Sequence, residues 1–164
     1  MIVLDASAMV EALIGRDVAG ELLDALTDGV HAPHLLDVEV LSVLRGLLLG
    51  GKLDPAVAEE ARRDHFAFTI NRYEVAPLAD RIWQLRHQYT SYDAAYLALA
   101  EALEAPLYTC DAKLDSGGHY ARVHVLHRTP LMGRGQRGRS RRVCGDHRCD
   151  EGPGLSPPGL DSRA

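Results

Sequence analysis

The chain alternates short apolar runs with longer stretches of helical periodicity. Ile2-Val3-Leu4 is a run of three apolar residues ending at Asp5, the pattern of a strand buried on both faces of a parallel sheet. Helical spacing follows over residues 8–14 and 18–26, and Gly29 marks a stop. Val30-His31-Ala32-Pro33 predicts a second short strand. Leu35, Leu36, Val40, Leu41, Leu44, Leu47 and Leu48 then recur at helical spacing until Gly50-Gly51 closes the helix. Asp54-Pro55 is an N-cap followed by proline at the first helical position, which predicts a helix through residue 68. Tyr73-Glu74-Val75 predicts a third strand, and residues 79–89 another helix. Ser91 is placed to cap an Ala- and Leu-rich helix over 92–103, which Pro106 separates from a strand at 107–110. Residues 123–126 predict the last strand. Strands separated by helices imply right-handed crossovers, so the fold class is α/β, a parallel sheet of four to five strands with helices on both faces.

Composition divides this chain in two. Its 164 residues, 46% hydrophobic and 25% charged, suit one domain with a real core and exclude a wholly disordered polymer. Residues 1–130 carry 11 basic and 19 acidic side chains, whereas 131–164 hold seven Arg, four acids, seven Gly and three Pro. That Arg/Gly/Pro-rich tail has almost no apolar periodicity and reads as a disordered extension to the folded unit at 1–130. Its Arg/Gly stretch has the charge to hold a phosphate backbone, and a solvated tail without a role is the plainer reading. Cys144, His147 and Cys149 are ligand types, but their spacing lacks a fourth ligand and matches no common zinc pattern. With three Cys there is no disulfide framework. The N-terminus has no basic region, and no apolar stretch approaches the roughly 20 residues that span a bilayer. The expectation is a soluble, cytoplasmic protein with no membrane partner.

Candidate chemistry rests on four acids. Asp5 and Asp111 each follow a predicted strand, and the carboxyl ends of parallel strands form the crevice where ligands bind. Glu39 lies in an apolar helix between Val38 and Val40, and Asp93 in the first turn of the Ala-rich helix. Singly, an Asp after a strand is as well explained as a helix N-cap, and Asp93 by the helix dipole. Glu39 has no capping role to explain it. Carboxylates at the rim of a core need a cation or a proton, and no basic residue stands beside these four in sequence. A hard divalent cation with oxygen ligands, Mg²⁺ or Mn²⁺, resolves the conflict.

Four segments carry a family likeness: Val3-Leu4-Asp5-Ala6-Ser7-Ala8, Asp37-Val38-Glu39-Val40-Leu41-Ser42-Val43-Leu44-Arg45, Tyr92-Asp93-Ala94-Ala95-Tyr96-Leu97-Ala98-Leu99-Ala100 and Leu107-Tyr108-Thr109-Cys110-Asp111-Ala112-Lys113-Leu114. In this order and with these separations, they resemble PIN-domain ribonucleases, and within them the VapC-type toxins of type II toxin–antitoxin pairs. The resemblance covers roughly residues 1–128 and implies a PIN-like three-layer α/β/α sandwich. It implies that Asp5, Glu39, Asp93 and Asp111 bind Mg²⁺ or Mn²⁺, one ion or two, and that the protein is an endoribonuclease hydrolysing phosphodiesters with metal assistance. Ser7 matches a hydroxyl position of the family. Thr109 is a second hydroxyl able to bond an acid, and some relatives have a fifth acid where Asp115 stands. For all three, ordinary surface or strand-edge roles stay open. The resemblance also implies a homodimer and a cognate antitoxin protein as partners, beside the RNA substrate.

Other classes fit less well. The eight His are scattered, and no H-E-x-x-H, nucleophile elbow or glycine-rich phosphate loop occurs. A phosphotransferase of the haloacid-dehalogenase kind wants a second acid two residues after Asp5, where Ser7 stands. Two alternatives remain: a non-catalytic PIN-like module that binds RNA or protein, and a Mg-dependent phosphatase of small molecules. The acidic body argues for low non-specific RNA affinity, with Arg45, Arg63, Arg86, Lys113 and Arg122 available to line a groove. Trp83, Tyr92 and Tyr96 are expected to serve packing in the core or between subunits.

Overall fold

The computed structural model describes residues 1–129. The predicted 131–164 tail, with Cys144, His147 and Cys149, lies outside the described residues. Five strands, β1 (Ile2–Leu4), β2 (Val30–Pro33), β3 (Ile70–Tyr73), β4 (Leu107–Thr109) and β5 (Val123–Val125), form one parallel sheet in the order β3-β2-β1-β4-β5. Around it run six α-helices: α1 (Ala6–Ile14), α2 (Gly20–Ala25), α3 (Leu35–Leu49), α4 (Pro55–Ala67), α5 (Ala79–Gln84) and α6 (Ser91–Ala102). Val3 pairs with His31 on one side and Leu107 on the other, which makes β1 the central strand. The chain steps outward from β1 to β3 and then crosses back to β4. Strand order therefore reverses between β1 and β4, and a crevice opens at their carboxyl ends.

Burial explains the layers. Val3 and Leu4 are fully buried, as a strand covered on both faces requires. Helices α1, α3 and α4 pack on one another, while α5 packs on α6, which lies across β1, β2 and β4. Every residue of α6 from Ala94 to Ala100 is buried. Ala94, Ala95, Ala98 and Ala100 are small enough to let the helix pack closely on the sheet, and Leu97 and Leu99 fill the space around them.

Three elements depart from the sequence pattern. The third strand occupies 70–73 rather than 73–75, because it is an edge strand pairing only with β2 and can hold the polar Asn71 and Arg72. Helix α5 stops at Gln84 instead of residue 89, and the chain turns so that Tyr89 is buried with its hydroxyl donating to the Gly117 carbonyl. Helix α6 is capped by Thr90 rather than Ser91, with the Thr90 hydroxyl accepting the Asp93 N–H at 3.2 Å.

One polar cluster ties the outer layer to the sheet. Asp37 of α3 accepts two bonds from the Arg72 guanidinium of β3, at 2.8 and 2.9 Å, and one contact of 2.8 Å from Nε2 of the fully buried His65 of α4. Replacing Asp37 with Ala would leave a partly buried guanidinium and a buried imidazole without their acceptor. We expect a loss of about 2–3 kcal/mol in urea unfolding, the usual consequence of orphaning charged hydrogen-bond donors. A loss below about 0.5 kcal/mol would show that the cluster does not hold these layers together.

Candidate active site

Asp5 is the first residue past β1 and the N-cap of α1. Its Oδ1 accepts the Ala8 N–H at 2.9 Å and the Ser7 hydroxyl at 2.7 Å, while Oδ2 accepts the Thr109 hydroxyl at 2.6 Å. The two hydroxyls are fixed from behind. Ser7 Oγ takes the Cys110 N–H at 2.7 Å, and Thr109 Oγ1 takes the Asp111 N–H at 2.9 Å. Side chains of α1 and β4 are thus laced across the crevice between β1 and β4. Asp5 is only 7% exposed, and burial pushes its carboxyl above the ordinary carboxylate range despite the hydrogen bonds from Thr109, Ala8 and Ser7 that oppose the shift.

Glu39 reaches the same region from α3. Burial raises its carboxyl, and the negative charges of Asp5 and Asp93 raise it further, against a 2.6 Å hydrogen bond donated by the Tyr96 hydroxyl to Oε2. Glu39 therefore feels the charges of both Asp5 and Asp93. Asp93 sits in the first turn of α6, where its Oδ2 accepts the Thr90 hydroxyl at 2.8 Å in a reciprocal cap. Asp111 stands just past β4, and its Oδ1 caps a short 3-10 turn by accepting the Lys113 N–H at 3.0 Å. Asp115, at the end of that turn, is exposed, and among the described residues it makes no hydrogen bond with any of the four acids.

None of the four acids has a Lys, Arg or His within ion-pair distance among the described residues. Nor do any three acidic, histidine or cysteine side chains among them already close into a cation cage. The donor chemistry nevertheless fits a hard cation. All ligand atoms are oxygen, Glu39 Oε1 has no hydrogen-bond partner among the described residues, and Mg²⁺ characteristically uses one or two carboxylates with water in its other positions. The acids that burial makes costly as anions are the ones a cation would stabilise. Cysteine chemistry is disfavoured here, because burial and the charges of Asp5 and Glu11 push the Cys110 thiol up and keep it protonated.

The sequence pattern did not single out two groups that matter here. Tyr96 is buried, as expected of packing, but its hydroxyl is bound to Glu39; the signal was its position three residues after Asp93, on the same helix face. Glu11 of α1 is buried and accepts the backbone N–H and hydroxyl of Thr129, tying that segment to α1. Trp83 and Tyr92, by contrast, are largely exposed among the described residues.

A comparison with family models matches residues 2–119 to the PIN domain. Ribonuclease VapC9 of Mycobacterium tuberculosis (strain H37Rv) is 41% identical over 118 residues, covering 72% of this chain and 91% of that protein. Ribonuclease VapC1 of the same organism is 43% identical over 116 residues, covering 68% and 86%. Among solved structures, PAE2754 of Pyrobaculum aerophilum has the same fold, with a TM-score of 0.59 at 21% identity over 74% of this chain and 81% of that one. The chain belongs to the PIN-domain family and, within it, to the VapC ribonucleases.

Proposed function

We propose that this protein is a Mg²⁺- or Mn²⁺-dependent endoribonuclease, the toxin of a toxin–antitoxin pair, with Asp5, Glu39, Asp93 and Asp111 as its metal-binding and catalytic acids. The observation that supports it is that the charges of Asp5 and Asp93 bear on the half-buried Glu39 while no Lys, Arg or His of the described residues pairs with any of the three. Family membership supports the reaction class, since the relatives are ribonucleases.

A divalent cation held by these acids would activate water for attack and neutralise charge on the phosphate being cleaved. The chain's own contribution is to hold the acids in place. Ser7 and Thr109 fix the Asp5 carboxylate from both sides, and the cap with Thr90 orients Asp93. Arg45 and Lys113, both exposed and without a carboxylate partner among the described residues, are available to RNA phosphates on either side. Asp115 is a bystander in this reading.

An antitoxin protein and a second copy of the chain are the proposed protein partners. Support comes from the apolar side chains left open on α3, among them Val38 and Leu49, which are 66% and 68% exposed. No helix of the described residues is long and apolar enough to cross a membrane, and the proposed setting is the cytoplasm.

The test incubates partner-free protein with total RNA and Mg²⁺ or Mn²⁺, alongside reactions with EDTA or the Asp93→Ala variant, and maps the cleavage ends. Discrete cuts absent from both controls are expected. Cutting that survives Asp93→Ala would remove this active site. Turnover of p-nitrophenyl phosphate without RNA cleavage would favour a phosphatase, and binding of RNA without cutting a non-catalytic module.

A further inference from the structure

We propose that Tyr96 is a positioning residue for cation binding: its hydroxyl holds Oε2 of Glu39 and so presents Oε1 to the ion. The inference rests on the reading of Glu39 as a cation ligand.

Tyr96 occupies the second turn of α6, three residues beyond Asp93, so one helix face carries both a site acid and this phenol. Tyr96 is 3% exposed and packed in the core, while its hydroxyl reaches Glu39 of α3 at 2.6 Å. The Ala6 backbone N–H, adjacent to Asp5, faces the same phenol oxygen. One hydroxyl thus joins α6, which carries Asp93, to α3, which carries Glu39, beside the start of α1 that Asp5 caps. A hydrogen bond to a carboxylate is charge-assisted, shorter and stronger than a neutral one.

Glu39 has no other partner among the described residues to fix it, and its side chain has three rotatable bonds. Occupying Oε2 leaves Oε1 as the oxygen with open lone pairs. Glu39 would then enter a coordination sphere through one atom, in an orientation set before the ion arrives. Outer hydrogen bonds of this kind orient a ligating carboxylate and raise affinity. Phenylalanine at position 96 preserves the ring and removes only the atom that does this.

Mn²⁺ titration of the partner-free, full-length chain by calorimetry tests the inference through a double-mutant cycle. Tyr96→Phe is expected to weaken Mn²⁺ binding about tenfold, the lower end of the range for losing such a partner. In a Glu39→Gln background, the same substitution should change affinity less than twofold, because the group it acts through is gone. Glu39→Asp, which keeps Tyr96 and withdraws the carboxylate by one methylene, is expected to reproduce the loss, so the result does not depend on one variant folding well. A hydroxyl that served stability alone would lower the melting temperature and leave the Mn²⁺ dissociation constant unmoved. Unchanged affinity in Tyr96→Phe, with Glu39→Gln clearly weakened, would overturn the role of Tyr96 and spare that of Glu39. The same factor in both backgrounds would overturn it too. Unchanged affinity in Glu39→Gln would end the ligand reading of Glu39 and this inference with it.

Discussion

Asn in place of Asp5 is expected to lower RNA cleavage by about a thousandfold while the fold survives. The substitution keeps the side chain's shape and one carbonyl oxygen, which can still accept the Ala8 N–H and the Ser7 hydroxyl as Oδ1 does. It removes the negative charge and puts an amide where Oδ2 accepts the Thr109 hydroxyl. If Asp5 helps hold a cation that supplies several kcal/mol of transition-state stabilisation, losing about 4 kcal/mol of it corresponds to roughly three decades in rate. Asp5 and Glu39 act on one ion in this reading, so combining Asp5→Asn with Glu39→Gln should slow cleavage little beyond the worse single variant. Asp115→Asn is the contrast. That carboxylate is exposed and hydrogen-bonded to none of the four acids among the described residues, and the variant's rate should stay within twofold of the parent. Initial rates on a defined RNA, with circular dichroism to confirm folding, decide the matter. Retention of a tenth of the activity by Asp5→Asn would show that its charge is not part of the reaction.

How far the sequence discloses this arrangement varies with the kind of residue. The central strand and α6 are legible because their apolar runs obey simple periods: Ile2-Val3-Leu4 is buried on every side, and the Ala-rich helix packs where its composition implies. The edge strand β3 is not legible, since a strand paired on one side tolerates Asn71 and Arg72 and loses the apolar signature. Asp5 and Asp111 stand where strand ends predict them, yet each is also an N-cap, so position alone does not separate function from capping. Glu39 was the more informative acid because no local backbone group explains it. What sequence spacing could not carry is the contact between elements. The Tyr96–Glu39 bond joins residues 57 apart, and the Thr109–Asp5 bond residues 104 apart. Those distances close only when the crossover from β3 brings α6 back over the sheet and places β4 beside β1.

Without metal, the contribution of Asp5 and Glu39 to stability is expected to grow as pH falls through their folded values, and Mn²⁺ is expected to reverse that trend. Burial raises the carboxyls of Asp5 and Glu39 above the values of 3.8 and 4.5 that they have in an unfolded chain. Between the folded and unfolded values the native state therefore binds more protons than the unfolded state. Stability then rises as pH falls through the folded values and is fully gained below the unfolded ones. Asp37 and Glu101 act in the opposite sense. Burial would raise them, but the hydrogen bonds and charges of Arg72 and His65 on one, and chiefly Arg81 on the other, outweigh it and lower both. Their contribution is complete above about pH 4–5 and is lost below it as they protonate. A cation binds only the deprotonated acids, so Mn²⁺ should stabilise most at pH 8, by about 2.7 kcal/mol at a hundredfold excess over its dissociation constant, and least at pH 5. Thermal melts of the parent and of Asp5→Asn/Glu39→Gln, each with EDTA or Mn²⁺, isolate these two groups because every other titration is common to both proteins. The double variant should show a flatter metal-free profile and little gain from Mn²⁺. Parallel curves for the two proteins would mean that Asp5 and Glu39 hold no stored charge for a cation to relieve.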